Sequence, residues 1–131
     1  GNIGWMDGEV DTYPTSDPVV VSEPIDRVMP LTMLAGLRWS QPESPWWLEG
    51  EVVYADDADK LSTRDMGDTQ RIPPGGTPSY TVVHLRSGWR VSDHLNVALA
   101  VENLFDEDYR VHGSGVNEPG QNVILTLVWM P

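Results

Sequence analysis

The side chains with the clearest chemical potential are five aspartates that crowd one stretch, residues 56–79. They are Asp56, Asp57, Asp59, Asp65 and Asp68. Ca²⁺ binds several carboxylate and carbonyl oxygens in such loops, so a hard-cation site is one hypothesis. The spacing does not match the EF-hand pattern, because no glycine follows at the required position. The interpretation we favour is a solvated, mobile loop tip whose acidity repels or selects charged ligands.

The three histidines are far apart in the sequence, and their spacing does not fit an HExxH-type metal site. His94 lies in a predicted turn and His112 in a predicted loop, so we expect both to be exposed to solvent. His84 lies on a predicted strand, where structural pairing is favoured over contact with a ligand. The pattern therefore predicts no metal site and no cofactor.

Two carboxylates and one serine are candidate catalytic groups. Glu49 and Glu51 lie on one face of a predicted strand, about 7 Å apart, and a glycosidase pair needs roughly 5 to 9 Å. No aromatic platform for a sugar accompanies them. Ser114 lies between two glycines, which is not the spacing of a nucleophile elbow. The sequence therefore does not indicate an enzyme.

Composition excludes further classes of protein. The chain has 131 residues, a formal net charge of −12 and no cysteine. The negative charge argues against nucleic-acid binding and against a basic membrane-surface helix. Without cysteine there is no disulfide framework, and no apolar run reaches the ~18 residues of a transmembrane helix. The first residues do not resemble a signal peptide, so a secreted or outer-membrane chain would be mature or a fragment.

Alternating apolar and polar residues predict six strands. The predicted strands are residues 2–13, 29–39, 45–55, 80–91, 95–104 and 121–130. The first is the weakest, because three acidic residues follow Ile3 and Trp5. Residues 14–24 are rich in proline and predict a loop, in which residues 19–21 could pair briefly.

The connections between these strands alternate long, short, long, short, long. Antiparallel strands with short turns at one end and long loops at the other form an up-and-down sheet, which is typical of outer-membrane barrels. Segments of about 10 residues also suit a tilted strand that crosses a bilayer. The alternative is a soluble, acidic β-sandwich that serves as a binding or lectin-like module.

Aromatic and charged residues favour the barrel. The tryptophans at the predicted short-turn end are Trp5, Trp39, Trp46, Trp89 and Trp129, and the tyrosines at the long-loop end are Tyr13, Tyr54, Tyr80 and Tyr109. Two such bands are typical of interfacial girdles, whereas a sandwich would hold large aromatics in mid-strand. The polar positions opposite the apolar ones would line a lumen. They are Arg38, Glu49, Glu51, His84, Arg86, Arg90 and Glu102.

Residues 103–109 read NLFDEDY, after one alternating strand and before Pro119-Gly120 and a last alternating strand. This arrangement resembles the C-terminal end of TonB-dependent outer-membrane receptors, most strongly over residues 77–129 and weakly before residue 24. The positions that carry the resemblance are Asn103, Leu104, Phe105, Asp106, Tyr109, Gly120 and Trp129. We expect Asn103 and Asp106 to fix the strand-to-loop corner through local bonds, and Tyr109 to pack in a girdle or loop. The family usually ends on an aromatic residue, whereas this chain ends in Trp-Met-Pro.

The resemblance implies an all-β, antiparallel up-and-down transmembrane β-barrel of about twenty-two strands, of which residues 1–131 supply only the last six or so. Its plug domain, its TonB-contacting segment and its earlier strands would lie outside the chain, and the first and last strands would pair with that remainder. The implied function is import of a ferric siderophore, another metal chelate, cobalamin or a glycan across the outer membrane of a Gram-negative bacterium, with energy from TonB.

The implied partners are the lipid bilayer, the remainder of the receptor, the TonB complex and a small nutrient ligand. We expect the loops at residues 56–79 and 105–120 to face that ligand. The candidate ligand-facing residues are Asp57, Asp59, Asp65, Asp68, Arg71, His112 and Asn117.

Overall fold

The computed structural model describes residues 1–131, which form eight β-strands and one short helix. The strands are β1 (Asn2–Gly4), β2 (Glu9–Thr12), β3 (Val21–Pro24), β4 (Thr32–Ser40), β5 (Trp46–Ala55), β6 (Tyr80–Arg90), β7 (Leu95–Glu102) and β8 (Asn122–Trp129), and the helix is α1 (Thr63–Gly67). Six strands form one antiparallel sheet in the order β1-β4-β5-β6-β7-β8, while β2 and β3 form a separate hairpin. The predicted all-β, antiparallel up-and-down class is confirmed, and the sheet is open. No helix of the chain has both the length and the apolar character needed to cross a membrane.

The register of the sheet brings the apolar positions of neighbouring strands together. Val97 of β7 lies opposite Trp89 of β6 and Leu127 of β8. Val52 of β5 lies opposite Val83 of β6 in the same way. Because residues directly opposite each other share a face, the alternation within each strand becomes one continuous apolar face.

This apolar face is not covered by a second layer. Leu125 and Leu127 are 63% and 64% exposed, and Leu99 is 43% exposed. A soluble sandwich would bury these side chains against a second sheet. The other sheet of this chain is only the β2–β3 hairpin, so the sandwich alternative is wrong.

Long and short connections alternate as predicted. Loop A (residues 5–31), loop B (residues 56–79) and loop C (residues 103–121) lie at one end of the sheet, and the turns at residues 41–45 and 91–94 lie at the other. Most of the buried side chains belong to the three long loops. They include Val28, Ala58, Ser62, Asp65, Ile72, Thr77, Asn103 and His112. The interior of this chain therefore lies among the loops.

The predicted strand at residues 2–13 is wrong in its extent. Only Asn2–Gly4 joins the main sheet, where it pairs with β4. Glu9–Thr12 instead pairs with Val21–Pro24, which overlaps the segment predicted to be a loop. The acidic residues that follow Trp5 remove the apolar alternation, so this part of the chain has no apolar side to add to the sheet.

Trp5 lies at the long-loop end of the sheet. The prediction that it groups with the tryptophans at the short-turn end is therefore wrong. Gly4 pairs with Thr32 at the start of β4, whereas the short turn follows Ser40 at the other end of β4. Because β1 runs antiparallel to β4, the residue after β1 emerges beside the long loops. The other four predicted tryptophans do lie at the short-turn ends of their strands: Trp39, Trp46, Trp89 and Trp129.

Candidate functional site

Four adjacent strands place a group of charged side chains on the face opposite the apolar one. This polar-face cluster consists of Arg38, Glu49, Glu51, His84, Arg86 and Glu102. Glu49 of β5 lies opposite Arg38 of β4 and Arg86 of β6. Glu51 lies opposite His84, and the pairing of Arg86 with Ala100 puts Glu102 on the same face. The expected common face of these six residues is therefore confirmed.

Arg86 is the centre of the polar-face cluster. Its Nη1 lies 3.4 Å from Glu49 Oε1 and 3.4 Å from Glu51 Oε1, and its Nη2 lies 3.9 Å from Glu102 Oε1. Arg38 pairs with the other oxygen of Glu49 at 3.6 Å. Two guanidinium groups thus serve three carboxylates, so the cluster keeps a net negative charge. The two carboxylates considered as a glycosidase pair are both held by Arg86 in this network.

Below the polar-face cluster, towards the short turns, the same face carries an open groove of about 400 Å³. Its lining includes Trp47, Gly88, Arg90, Asn96, Ala98 and Val128. The guanidinium carbon of Arg38 lies 3.9 Å from the centroid of the Trp47 ring, which is a cation–π contact. The upper part of this face therefore carries charged side chains, and the lower part combines the Trp47 ring and small or aliphatic residues with Arg90 and Asn96.

Helix α1 in loop B begins with a capping box, which the alternation of apolar and polar residues does not predict. Ser62 Oγ accepts a hydrogen bond from the Asp65 backbone N–H, and the Asp65 carboxylate accepts one from the Ser62 N–H. The sequence Ser-Thr-Arg-Asp at residues 62–65 fits the [ST]-x-x-[DE] signal for a helix start. This signal could have predicted the helix.

Asp65 is only 2% exposed, so its predicted position facing a ligand is wrong. Its Oδ2 also accepts a hydrogen bond from the Arg27 backbone N–H at 2.9 Å. A buried carboxylate needs such donors, because an unpaired buried charge is costly. Asp65 therefore joins loop A to loop B.

Asp68 and Arg71 form a second junction between the loops. One oxygen of Asp68 lies 3.2 Å from Arg27 Nη2 and 3.1 Å from Arg71 Nη1. A side chain at Gly113 would meet the Arg27 stem at 3.6 Å, and one at Gly115 would meet the Arg71 stem at 3.3 Å. Loop C therefore lies on the two arginines that hold Asp68.

His112 is 8% exposed, so its expected exposure to solvent is wrong. Its Nδ1 lies 2.9 Å from Thr77 Oγ1 of loop B, and its Nε2 is buried without a hydrogen-bond partner in the chain. Burial lowers the pKa of the imidazole from its ordinary value, with Asp65 acting in the opposite direction and Arg27 in the same direction. The packing between the loops therefore favours the neutral form of the ring.

The remaining predicted ligand-facing residues lie on the loop surface. Asp57 accepts a hydrogen bond from the Ser79 backbone N–H at 2.7 Å and so closes the base of loop B. Asp59 is exposed, and so is Asn117, which binds Asp108 and Arg110 within loop C. Contact of these residues with a ligand stays a prediction. No three His, Asp or Glu side chains of the chain are grouped so that they could hold a metal ion.

Asn103 fixes the start of loop C. Its side-chain amide donates to the backbone carbonyls of Glu107, at 2.8 Å, and Pro119, at 3.2 Å, and its Oδ1 accepts from the Glu107 N–H at 2.8 Å. Its φ of 48° is left-handed, a conformation that asparagine adopts more readily than most residues. One buried side chain thus joins the two ends of loop C.

The other motif residues complete this corner or lie exposed, and Trp129 is at the opposite, short-turn end of the sheet. Asp106 Oδ1 accepts a hydrogen bond from the Gln121 N–H at 2.8 Å, and a side chain at Gly120 would collide with the same oxygen. The Leu104 N–H donates to the Val83 carbonyl at 2.8 Å. The ring centroids of Tyr109 and Tyr80 are 4.6 Å apart. Phe105 and Trp129 are 72% and 68% exposed.

Comparison with known proteins agrees with this architecture. A family described as "TonB dependent receptor-like, beta-barrel" matches residues 1–104. The match includes the first residues, where the sequence motifs of the family are weakest, and it ends within the NLFDEDY motif. A search among curated proteins gave no match.

Two solved structures share the fold. One is described as a copper transporter, OprC, with a TM-score of 0.65, 17% identity, and coverage of 82% of this chain and 18% of that one. The other is a G324V mutant of the ferric enterobactin receptor PfeA from Pseudomonas aeruginosa, with a TM-score of 0.56, 16% identity, and coverage of 82% and 19%. The chain spans less than a fifth of the length of either. With most of its length matched by the family, the chain belongs to the TonB-dependent receptor-like β-barrels.

Proposed function

We propose that the chain is part of the barrel wall of an outer-membrane receptor that imports a scarce nutrient into a Gram-negative bacterium with energy delivered by TonB. The observation that carries the proposal is the family match over residues 1–104. TonB-dependent receptors are outer-membrane proteins, and the two solved relatives are described as a transporter and a receptor. The remaining strands, a plug domain and the segment that contacts TonB would belong to the rest of the receptor.

The apolar face of the sheet is the surface that would contact lipid. Its residues are exposed although they are apolar, for example Val123 at 62% and Leu125 at 63%. Such a surface is an aggregation hazard in water and is stable against hydrocarbon. The tryptophans at the short turns would then lie at the periplasmic interface, and the loop-end tyrosines at the outer one.

The polar-face cluster would face the lumen and the plug domain. The net negative charge of the cluster favours basic groups on whatever part of the receptor lies against it. The groove beside Trp47 and Gly88 would continue this surface towards the periplasm. The loops would lie outside, where Asp57, Asp59 and Asn117 could reach a ligand.

The ligand class we propose is a metal complex, such as a ferric siderophore or another metal chelate. Support for this choice comes from the two solved relatives, because one is described as a copper transporter and the other as a ferric enterobactin receptor. Cobalamin and glycans are the alternatives that the family resemblance leaves open.

The test is to delete the gene of the full receptor and measure uptake of labelled iron chelates, copper, cobalamin and oligosaccharides. We expect loss of uptake of one metal complex, and a plasmid copy of the receptor should restore it. Unchanged uptake of all four would contradict the transport proposal.

Replacement of both Asp59 and Asn117 by alanine tests whether the loops contact the ligand, with the short-turn variant Asp93→Ala as the control. Normal uptake by a correctly inserted double variant would remove the loop assignment.

A further inference from the structure

Loops A, B and C meet around one buried side chain, His112. The ring itself belongs to loop C and bonds to Thr77 of loop B. The next residue, Gly113, lies against the stem of Arg27 from loop A. The Arg27 backbone N–H in turn bonds to Asp65 of loop B. A change in the charge of this ring would therefore act on the packing of all three loops.

The surroundings of the ring accept its neutral form and oppose its charged form. A neutral imidazole has one N–H, whereas an imidazolium has two N–H donors and a positive charge. Thr77 can bond to Nδ1 in either form, because a hydroxyl both donates and accepts. Nε2 is buried with no hydrogen-bond partner in the chain. Protonation would therefore leave a charged donor buried and unpaired, which is costly.

The charged groups nearby do not remove this cost. Asp65, on α1, favours the cation, but its carboxylate already accepts hydrogen bonds from Arg27 and Ser62. Arg27, on loop A, disfavours the cation, and its guanidinium group is paired with Asp68.

The charged residues that precede His112 in loop C have hydrogen-bond partners of their own. Arg110 donates to the Asn117 side chain at 2.9 Å, and Asp108 accepts from the same side chain at 2.7 Å. Burial consequently remains the largest influence on the ring and lowers its pKa.

We propose that His112 is an acid-sensitive latch whose neutral ring holds loop C against loops A and B, and whose protonation releases loop C. The direction follows from the linkage of protonation to folding. A histidine with a lowered pKa in the packed state stabilises that state fully above the ordinary pKa of 6.5. This stabilisation is lost as the pH falls below 6.5 towards the lowered value. The latch does not depend on which nutrient the receptor imports.

The test measures access to the loop interior of the full receptor in isolated outer membranes. The chain has no cysteine, so Ile72→Cys provides a probe at a position that is 2% exposed, and Val116→Cys provides a reference at one that is 63% exposed. Each is labelled with a membrane-impermeant maleimide at pH 7.5 and pH 5.5. The ratio of the two initial rates removes the pH dependence of the thiol reaction itself, and the unsubstituted receptor gives the background.

We expect this ratio to rise on acidification, by about tenfold at most, because an open histidine that titrates near 6.5 is mostly protonated at pH 5.5. His112→Gln should make the ratio independent of pH. The control His94→Gln changes an exposed histidine at the short-turn end and should behave like the parent. A parent ratio that is the same at both pH values would overturn the latch, even if His112→Gln failed to insert. A rise that persists in a folded His112→Gln receptor would overturn it as well.

Discussion

The indole ring of Trp47 occupies the space into which a side chain at Gly88, its partner on the next strand, would project. The ring also receives the Arg38 guanidinium group above its π system. Glycine at this position therefore lets a large aromatic ring lie close to the sheet, at the border between the polar-face cluster and the groove. The three side-chain positions behave as one packed unit on the lumen side of the proposed barrel.

Gly88→Ala should destabilise the receptor, because the new methyl group would overlap the Trp47 ring and force it to move. Overpacking of this kind costs about 1–3 kcal/mol. The measurement is the free energy of unfolding of the full receptor in detergent micelles. The control is Gly36→Ala on β4, where the new methyl group would meet its nearest neighbour at 3.5 Å, an ordinary contact. Equal stability of the two variants would contradict the close packing of the Trp47 ring on Gly88.

Arg86→Ala should destabilise the receptor more than Arg90→Ala does. Removal of Arg86 leaves three carboxylates of the polar-face cluster close together with only Arg38 beside them. Because these groups are partly exposed, we expect a loss of about 1–2 kcal/mol, less than for a fully buried pair. Arg90 is an arginine on the same face of the same strand, forms no ion pair, and is the matched control.

The measurement for Arg86 is chemical unfolding at low and high salt. Salt screens the repulsion among the unpaired carboxylates, so the loss in Arg86→Ala should shrink as salt is added. If the two arginine variants unfold alike at low salt, the network does not contribute to stability.

The alternation of apolar and polar residues was sufficient to predict the main sheet and its two faces. Every predicted lumen-facing residue lies on the polar face, since the period of two assigns a face to each position once the strands pair. Trp5 shows where this reasoning fails. Trp5 follows directly after β1 because only three residues of β1 join the sheet. The length of β1 is set by its pairing with β4, about thirty residues later in the chain.

The packing among the loops could not be predicted from periodicity. His112 is buried because Thr77, 35 residues earlier, and Arg27, in a different loop, come to it in space. The acidic stretch around Asp65 predicts a position facing a ligand, yet its carboxylate is used by two backbone N–H groups, those of Ser62 in the same loop and of Arg27 in loop A. Of the contacts within the loops, only the capping box formed by Ser62 and Asp65 could have been predicted from the sequence.

Asn103→Ala should loosen loop C. The variant loses three side-chain hydrogen bonds, each worth about 1 kcal/mol, and it places alanine at a φ of 48°. We expect a loss of about 2–4 kcal/mol in the local stability of the loop. The measurement is hydrogen exchange of the backbone amides in residues 104–121. Asn122→Ala, which changes an exposed asparagine at the first residue of β8, is the control and should leave most of those amides protected. Equal exchange in both variants would contradict the role of Asn103.

Asp68→Asn should weaken the contact of loop C with loops A and B at neutral pH. Hydrogen bonding to Arg71, assisted by the charge of Arg71 and by Arg27, lowers the pKa of the Asp68 carboxyl from its ordinary value of 3.8, although burial opposes the shift. A carboxyl with a lowered pKa stabilises the packed loops above 3.8, and this contribution is lost as the pH falls towards the lowered value. The parent receptor should therefore keep the pairing of Asp68 with Arg27 and Arg71 between pH 7 and pH 5, where the proposed release by His112 occurs, and lose that pairing only in stronger acid.

Hydrogen exchange of loop C, corrected for the intrinsic effect of pH, should show this second step, below the one expected from His112, in the parent and in the control Asp59→Asn. The step should be missing in Asp68→Asn, which is already weakened at neutral pH. A step of the same size in Asp68→Asn would show that another group holds the junction.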